Sequence, residues 1–518
     1  MKLTNVIDTK TMLFFASILS VFVINYSFHA GYLVTYGDAE SHLNIAKRVV
    51  HSITPGFSQL GGIWLPLPHL LMIPFVYFDS LWRTGLAGSI LSGISFVISA
   101  VFIYKLVLLV TDNKYAALIS FLIFSLNPNI LYMQTTAMSE LPLILFFVTS
   151  TYFFIKFLMD QEDIFSLITA ALLGLAASLT RYDGWFLVLT QASILIFLYL
   201  KRFIQKQDRK ILEGQFFLFS TLAFLGIFLW IGWDLLILGD PFYFSNSSFS
   251  AKSQQQGWLA RGELPTYHNL YLSIIYYSMT ALRNIGTILS ALFIFGLLIY
   301  IANKDFIKRG LIISLFLTPF TFYVATLYMG QSVIFIPDVV PKDFEWHMFN
   351  VRYGIMMVPV AAFFTAYLFN RVHLLSKLLI IFLLISQAVS FISGYEKVIT
   401  WEDGKYGLSS SKSPHVESWI RENYDGGLVL IDDFARTLSI IRSGIPMQNI
   451  IYIGNKPYWE ESLKEPEKHA RWIIMQKSDV VWSTILNDPD TSGRLYKYFE
   501  KAYTSPEILV FKRNPNVE

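Results

Sequence analysis

Two kinds of side chain in this sequence suit opposite halves of a group-transfer reaction. Asp38 and Glu40 follow the first long apolar run, and His42 lies one helical turn after Asp38. A carboxylate in such a position can accept a proton from a hydroxyl group. Arg352 directly precedes another apolar run. Because a guanidinium stays charged when partly desolvated and presents a fork of donors, Arg352 suits a phosphate.

Purely structural roles fit the same residues. Asp38 could be the N-cap of a helix over residues 39–50, and Glu40 could be a first-turn anion that stabilises the helix dipole. Arg352 could extend along the membrane surface as an amphipathic side chain. The positive-inside rule, however, disfavours an arginine without a role on the outer side of a membrane. The local pattern alone leaves both interpretations open.

Two polar turns elsewhere carry further candidates. Glu140 opens an apolar run after a polar stretch that ends at Ser139, which would cap the helix. Arg181, Tyr182 and Asp183 form most of the turn between two closely spaced apolar runs. Arg181 and Asp183 could simply pair with each other, or the turn could contribute to a polar pocket.

The composition identifies the class of protein that must position these residues. Hydrophobic residues make up 54% of 518 positions, charged residues make up 15%, and the mean hydropathy is +0.49. Such a chain is too apolar for a soluble fold, so the sequence predicts a multi-pass protein of the cell membrane. The net charge of +3 gives no reason to expect a nucleic-acid partner. The absence of cysteine excludes disulfides and thiolate metal sites.

Apolar windows close to the ~20 residues that cross a bilayer predict about eleven membrane spans in a mainly α-helical bundle. The windows are 12–33, 85–110, 115–133, 140–158, 164–180, 185–200, 215–238, 285–302, 310–330, 351–369 and 374–393.

The charges of the connecting segments predict the orientation. One set of loops carries most of the lysine and arginine, with a run at 201–210, and is therefore predicted to be cytoplasmic. The other set faces outward and comprises 34–84, 134–139, 181–184, 239–284 and 331–350. An odd number of spans places the C-terminal tail outside as well. The candidate residues thus all lie on the extracytoplasmic side.

Two domains are predicted. Residues 1–398 form the membrane module, with 34–84 as its outward loop, and residues 399–518 form an extracytoplasmic α/β domain. Short apolar runs at 427–431, 449–453 and 471–475 predict strands in the tail, between helices at 415–424 and 434–443. The apolar segment 55–74 contains several prolines and cannot be a regular span.

The polar segments, taken in order, resemble the GT-C membrane glycosyltransferases, in the branch of the protein O-mannosyltransferases and the lipid A aminoarabinose transferases (glycosyltransferase family 39). Each motif is weak by itself, but the ordered set is fairly specific and covers residues 10–395. The motifs are Gly37-Asp38-Ala39-Glu40-Ser41-His42, Asn127-Pro128 with Ala137-Met138-Ser139-Glu140, Thr180-Arg181-Tyr182-Asp183-Gly184-Trp185, Leu238-Gly239-Asp240-Pro241-Phe242 and Asn350-Val351-Arg352-Tyr353-Gly354.

The resemblance implies an inverting glycosyltransferase with a polyprenyl-phosphate sugar, such as dolichyl-phosphate mannose, as its donor. The acceptor would be a protein, glycan or lipid at the outer face of the cell membrane. By resemblance Asp38 is the base, and the division of labour between Asp38 and Glu40 stays open. Arg352, together with Arg181, would hold the lipid phosphate. The remaining residues of the implied substrate site are His42, Glu140, Tyr182, Asp183 and Tyr353.

Three alternatives remain at the level of sequence. A divalent metal ion on Asp38, Glu40 and His42 is the one cofactor hypothesis, and no other cofactor is predicted. A flippase or exporter of lipid-linked saccharides would also need many helices and a few buried charges. An oligosaccharyltransferase-like enzyme that transfers a glycan en bloc is the nearest enzymatic alternative, although its Trp-Trp-Asp signature is absent.

Overall fold

The computed structural model of the chain describes residues 8–302, 306–407, 414–433 and 438–515, and these are mainly helical. Within these ranges, seven helices are long and apolar enough to cross a membrane, or nine if each of two bent pairs counts as one span. The chain is therefore a multi-pass membrane protein. The seven helices are Thr9–His29, Leu86–Thr111, Glu140–Met159, Asp183–Ile204, Lys210–Leu238, Val351–Arg371 and Leu374–Ile392.

The predicted helical bundle is confirmed, but the part of the chain that the structure describes contains seven to nine candidate spans rather than about eleven. The window 115–133 falls on the shorter helix Lys114–Ser125. The chain breaks there because Asn127 accepts hydrogen bonds from two backbone N–H groups and starts a new helix, Pro128–Met133. The window 164–180 falls on Ile164–Ser178, which has 15 residues. Both helices are shorter than the hydrocarbon thickness requires.

The chain separates into two compact units. The membrane unit comprises the described residues of Met1–Thr35, Gly62–Pro68 and Ser89–Leu408. The second unit comprises those of Tyr36–Gly61, His69–Gly88 and Ser409–Glu518. The sequence assigns all of 34–84 to the membrane module, whereas most of that segment belongs to the second unit.

Further helices of the membrane unit connect or bend the long ones. The bent pairs are Leu270–Ile285 with Thr287–Ala302, at 111°, and Arg309–Phe316 with Thr318–Tyr328, at 50°. The span Val351–Arg371 begins as a 3-10 helix, Val351–Met357, and Lys210–Leu238 ends as a π-helix, Asp234–Leu238. Short helices lie at Tyr243–Asn246, Ala251–Gln254, Gln256–Ala260 and Ile399–Tyr406.

The chain bends sharply between the helices Leu270–Ile285 and Thr287–Ala302. Contacts at this bend, near Asn284, fix the start of the span that carries Arg352. The helix before the break ends at Ile285, and Gly286 adopts a φ of +102° that favours glycine. The side-chain amides of Asn127 and Asn129 both donate to the carbonyl of Asn284, at 2.9 and 3.1 Å. The Asn284 amide in turn donates to the carbonyl of Val351, at 2.7 Å. These bonds satisfy carbonyls at the end of an α-helix and hold the 3-10 helix against it.

The second unit contains a five-stranded mixed sheet. Its strands are β1 (Val429–Ile431), β2 (Ile450–Ile451), β3 (Trp472–Gln476), β4 (Phe499–Thr504) and β5 (Ile508–Arg513), in the order β2-β1-β3-β5-β4. β1 is parallel to β2 and to β3, while β5 is antiparallel to β3 and to β4. The three predicted apolar runs are thus confirmed as strands. The hairpin of β4 and β5 is not among the sequence predictions.

The second unit also contains helices. The helix Pro414–Asn423 confirms the prediction for 415–424. Of the predicted helix 434–443, residues 434–437 lie outside the described residues, and Ile440–Ser443 is helical and ends at Gly444, with a φ of +81°. The other helices are Gly37–Val50, Asp79–Thr84, Tyr458–Lys464, Pro466–His469, Val480–Asn487 and Pro489–Tyr498, with 3-10 turns at Phe57–Leu60 and Met447–Asn449.

The proline-containing segment 55–74 is not a span, as predicted. It contains the 3-10 turn Phe57–Leu60 and leads into a helix of only 10 residues, Leu67–Val76, with Pro74 inside it. A proline in that position removes one backbone hydrogen bond and limits regular helix formation.

Candidate active site

A single buried carboxylate organises the polar cluster of the membrane unit. Glu140 is the first residue of its helix and is fully buried. One of its oxygens, Oε1, accepts a hydrogen bond from Nη1 of Arg181, at 3.0 Å, and another from Nε of Arg352, at 3.1 Å. A buried charge is stable only when it is paired and hydrogen-bonded. Glu140 therefore fixes two guanidinium groups from distant parts of the sequence.

Arg181 donates to protein groups through all three of its nitrogens. Besides Glu140, it donates to the hydroxyl of Ser139 at 3.1 Å, to the hydroxyl of Tyr323 at 3.2 Å, and to Asp183 at 3.4 Å. Burial alone would lower the pKa of Arg181, but the carboxylates of Glu140 and Asp183 help to hold it well above its usual value. The predicted pairing of Arg181 with Asp183 is confirmed, within a larger network.

The expected capping by Ser139 is wrong. Ser139 stands directly before the helix, but its side chain accepts no hydrogen bond from a helix N–H group. Its hydroxyl instead accepts the bond from Arg181. Ser139 therefore binds the arginine and does not cap the helix.

Arg352 is the second residue of the 3-10 helix, and only 4% of its side chain is exposed. Its Nη1 lies 3.8 Å from Oδ2 of Asp403, which is fully buried. Asp403 is absent from the sequence predictions. The sequence did contain a signal that could have identified Asp403. The acidic pair Glu402-Asp403 follows the last apolar run, much as Asp38 follows the first apolar run.

The helix that carries Asp403 is fixed to the membrane unit by Asn129. The side-chain oxygen of Asn129 accepts hydrogen bonds from the backbone N–H and from the hydroxyl of Thr400, both at 3.0 Å. The same asparagine binds the carbonyl of Asn284. One side chain thus connects the elements that carry Arg352 and Asp403.

Three stacked tyrosines line the arginines. The rings of Tyr277 and Tyr323 are 4.9 Å apart, and those of Tyr323 and Tyr353 are also 4.9 Å apart, nearly parallel in both cases. The guanidinium groups of Arg181 and Arg352 each lie 5.1 Å from the ring of Tyr353. A π-face stabilises a desolvated cation. The sequence predicts Tyr353 but misses Tyr277 and Tyr323, since a tyrosine inside an apolar window is indistinguishable from core.

Tyr182 occupies the same turn as Arg181 but binds a different segment. Its hydroxyl donates to the carbonyl of Ile63 at 2.8 Å, and its ring packs on Trp185 and Phe244. Tyr182 therefore holds the segment 62–68 against the turn.

The cluster carries more negative than positive formal charge. Glu140, Asp183 and Asp403 are acidic, while Arg181 and Arg352 are basic. The arginines are accordingly held as oriented hydrogen-bond donors rather than as a source of net positive potential.

Asp38, Glu40 and His42 lie in the second unit, on the helix Gly37–Val50. The residue before this helix is Tyr36, so Asp38 is its second residue and the prediction of an N-cap role is wrong. Both acids lie in the first turn, where negative charge is favoured by the helix dipole. Only 8% of Asp38 and 5% of Glu40 are exposed.

His42 pairs with another buried histidine. Its Nδ1 lies 2.8 Å from Nε2 of His69, with the two ring centroids 5.0 Å apart. Among the residues that the structure describes, no group of three or more His, Asp or Glu side chains could hold a metal ion. Glu40 also accepts a hydrogen bond from the backbone N–H of Ile441. The donor set therefore does not support a metal ion on Asp38, Glu40 and His42.

Comparisons with known proteins support the resemblance. Residues 82–233, a little under a third of the chain, match the sequence model of the family described as dolichyl-phosphate-mannose-protein mannosyltransferase. A search of curated proteins finds no significant match.

Two solved structures share the fold along nearly the whole chain. ArnT from Cupriavidus metallidurans, in the apo state, has a TM-score of 0.52 at 12% identity and covers 95% of this chain and 97% of its own. The archaeal oligosaccharyltransferase AglB from Archaeoglobus fulgidus, in complex with an inhibitory peptide and a dolichol-phosphate, has a TM-score of 0.51 at 12% identity. That match covers 98% of this chain and 75% of AglB. The predicted resemblance and fold class are thus confirmed.

The shared carboxylate generates a stability prediction. Replacing Glu140 with Gln keeps an oxygen acceptor but removes the negative charge between two buried guanidinium groups. We expect the free energy of unfolding to fall by about 3–5 kcal/mol, as for other broken buried ion pairs. The measurement is denaturant unfolding of the purified protein in detergent.

Asp425→Asn is the matched control. Asp425 binds Arg471 and Lys512 on the surface of the second unit, and 40% of its side chain is exposed. Exposed pairs contribute at most about 1 kcal/mol. Equal destabilisation by the two substitutions would contradict the organising role of Glu140.

Proposed function

We propose that this protein is a membrane glycosyltransferase that moves a sugar from a polyprenyl-phosphate donor to an acceptor hydroxyl, with inversion at the anomeric carbon. The observation that carries the proposal is the buried Glu140 carboxylate, which presents Arg352 beside Arg181 at the ends of membrane helices. The family match over 82–233 and the shared fold support the same class of donor.

Arg352 is the proposed ligand of the donor phosphate. Arg352 is oriented by the Nε bond to Glu140 and by a longer ion pair between its Nη1 and Asp403. This arrangement fixes the plane of the guanidinium. A planar fork of donors matches the oxygens of a phosphate, and it stabilises the charge that develops as the phosphate departs.

Asp38 is the proposed base. The acceptor oxygen forms a bond to the anomeric carbon, its proton passes to the Asp38 carboxylate, and the bond from that carbon to the phosphate oxygen breaks. The electron pair of the broken bond stays with the phosphate. Attack from the side opposite the leaving group inverts the anomeric carbon.

The reaction is proposed to take place on the extracytoplasmic side of the membrane. Glu140 begins its helix, Arg181 lies in a turn, and Arg352 begins a span, so these residues mark one set of helix ends. The opposite set of loops carries the basic run at 201–210. The C-terminal domain, which contains the five-stranded sheet, is proposed to lie on the outer side, as expected for an odd number of spans after a cytoplasmic N-terminus.

The position of the charges favours an enzyme over a transporter. A transporter of lipid-linked saccharides is expected to hold polar groups near mid-membrane, often at paired broken helices in two related halves. Here Glu140, Arg181 and Arg352 lie at helix starts and turns. The likeness to AglB concerns the fold and does not by itself select en bloc transfer.

The role of Asp38 is tested by Asp38→Asn. We expect this variant to fold and to bind donor but to lose transfer, because an amide cannot take the acceptor proton. The assay measures release of polyprenyl phosphate from a panel of tritiated polyprenyl-phosphate monosaccharides, dolichyl-phosphate mannose first, with total membranes as the acceptor source. Wild-type turnover by the Asn variant would refute the assignment. Parallel assays with a chelator test the metal hypothesis.

The phosphate role of Arg352 is tested by two substitutions. Arg352→Lys keeps the charge but loses the fork, and Arg352→Ala loses both, so we expect donor affinity to decrease in the order wild type, Lys, Ala. Binding of the tritiated donor to purified protein is the measurement.

Arg371 ends the helix that follows the 3-10 segment of Arg352, and it is exposed, with its Nε donating to Tyr367 at 3.1 Å. Arg371→Ala is the control and should bind donor like the wild type. Equal donor affinity in all four proteins would rule out a phosphate role for Arg352.

The orientation is tested by single-cysteine labelling, since the chain contains no cysteine. We expect Lys497→Cys, on the C-terminal domain, to react with a membrane-impermeant maleimide in intact cells. Gln207→Cys, in the basic loop, should react only after the membrane is permeabilised. The reverse pattern would place the C-terminal domain in the cytoplasm and contradict the proposal.

A further inference from the structure

Asp38 and Glu40 project from different sides of the same helix. An α-helix turns by ~100° per residue, so side chains two positions apart point ~200° from each other, whereas Asp38 and His42 share a face. The two acids therefore meet different surroundings although they are close in sequence. The contacts of Glu40 within the second unit suggest its role.

Glu40 contacts the C-terminal domain. Its Oε1 accepts a hydrogen bond from the backbone N–H of Ile441, at 3.3 Å, and this bond is buried. Ile441 lies in the short helix Ile440–Ser443, and Arg83 donates to the carbonyl of Ile441 and to that of Gly444, which directly follows the helix. The first turn of the helix Gly37–Val50 is thus attached to the C-terminal domain through Glu40.

The last turn of the same helix is attached through Arg48. Its guanidinium forms a partly buried ion pair with Asp433 and lies 3.8 Å from the ring of Tyr452. The Tyr452 hydroxyl donates to the side-chain oxygen of Gln59. The amide of Asn455 also donates to Ser52 and Thr54, just after the helix, at 2.8 and 2.9 Å.

The residues that hold Arg48 lie at one edge of the sheet. Asp433 comes two residues after the end of β1, and Tyr452 comes directly after β2. β1 and β2 are parallel neighbours, so their carboxyl ends meet at the same edge. Leu430 and Ile451 of these strands are fully buried in the core of the domain. A packed sheet edge is a rigid support for an arginine.

We propose that the C-terminal domain sets the position of the helix Gly37–Val50, with Glu40 and Arg48 as positioning residues, and that Asp38 alone acts as the base. The inference rests on the proposed function. On this inference the C-terminal domain contributes to catalysis by positioning the helix that carries the base. Asp38 and Glu40 then have separate roles.

Substitutions of Glu40 distinguish a positioning role from the role of a base, because a positioning residue needs a hydrogen-bond acceptor and a base needs a carboxylate. Glu40→Gln keeps an oxygen that can accept the Ile441 N–H, whereas Glu40→Ala does not. We expect kcat to fall much further in the Ala variant than in the Gln variant, on the order of 100-fold for a displaced base, with the KM for donor unchanged. A base at position 40 would instead make the Gln and Ala variants equally inactive, and that result would overturn the inference.

The ion pair is tested by charge reversal. Arg48→Asp and Asp433→Arg should each lower kcat, and the double variant should recover much of the loss because the pair re-forms. Glu467→Gln, which removes a contact with Arg494 elsewhere in the same domain, is the control and should keep wild-type kcat and KM. Single variants that fold and retain wild-type kcat, or a double variant that recovers nothing, would contradict the role of the pair.

Asp38→Asn, assayed beside these variants, separates the two proposals. If Asp38→Asn is inactive while Glu40→Ala is fully active, only the positioning inference fails. If Asp38→Asn is active, the proposed function fails, and the positioning inference fails with it. Should the charge-reversal variants not fold, the Gln and Ala comparison at position 40 still decides.

Discussion

The polar cluster of the membrane unit depends on the buried carboxylate of Glu140, which binds two guanidinium groups. A carboxylate without partners in apolar surroundings would be too costly to keep ionised, so Glu140 requires the guanidinium groups that bind it. The surrounding polar residues follow from this requirement. The asparagines at 127, 129 and 284 fix the helix ends from which Arg352 and Asp403 project, and the stacked tyrosines cover the cations.

Much of the fold could be predicted from the sequence because its signals are local. Long apolar windows identified the helices, and short apolar runs between helical segments identified β1, β2 and β3. The prediction of a membrane span at 115–133 was wrong. A hydropathy average does not detect that one helix ends before Asn127 and that another begins at Pro128. The β4–β5 hairpin was missed since its strands are only partly buried and carry charged residues, for example Lys501 and Lys512.

The candidate site shows the same limit. Glu140, Arg181 and Arg352 were predicted because charged residues next to apolar runs are conspicuous, and the structure brings all three together. Asp403 and Tyr323 join them through contacts between residues far apart in sequence, which no local pattern reveals. For Asp38 and Glu40, proximity in sequence suggested a shared task, whereas helical geometry points them to different sides. A prediction of helix phase from the hydrophobic pattern would have been needed to separate them.

A structure of the whole chain with a polyprenyl phosphate bound would test the role of Arg352 most directly. We expect the phosphate oxygens to lie within hydrogen-bond distance of the Arg352 guanidinium while Glu140 still accepts the bond from its Nε. A phosphate bound at other residues, with the contacts of Arg352 unchanged, would contradict the central claim that Glu140 presents this arginine to the donor.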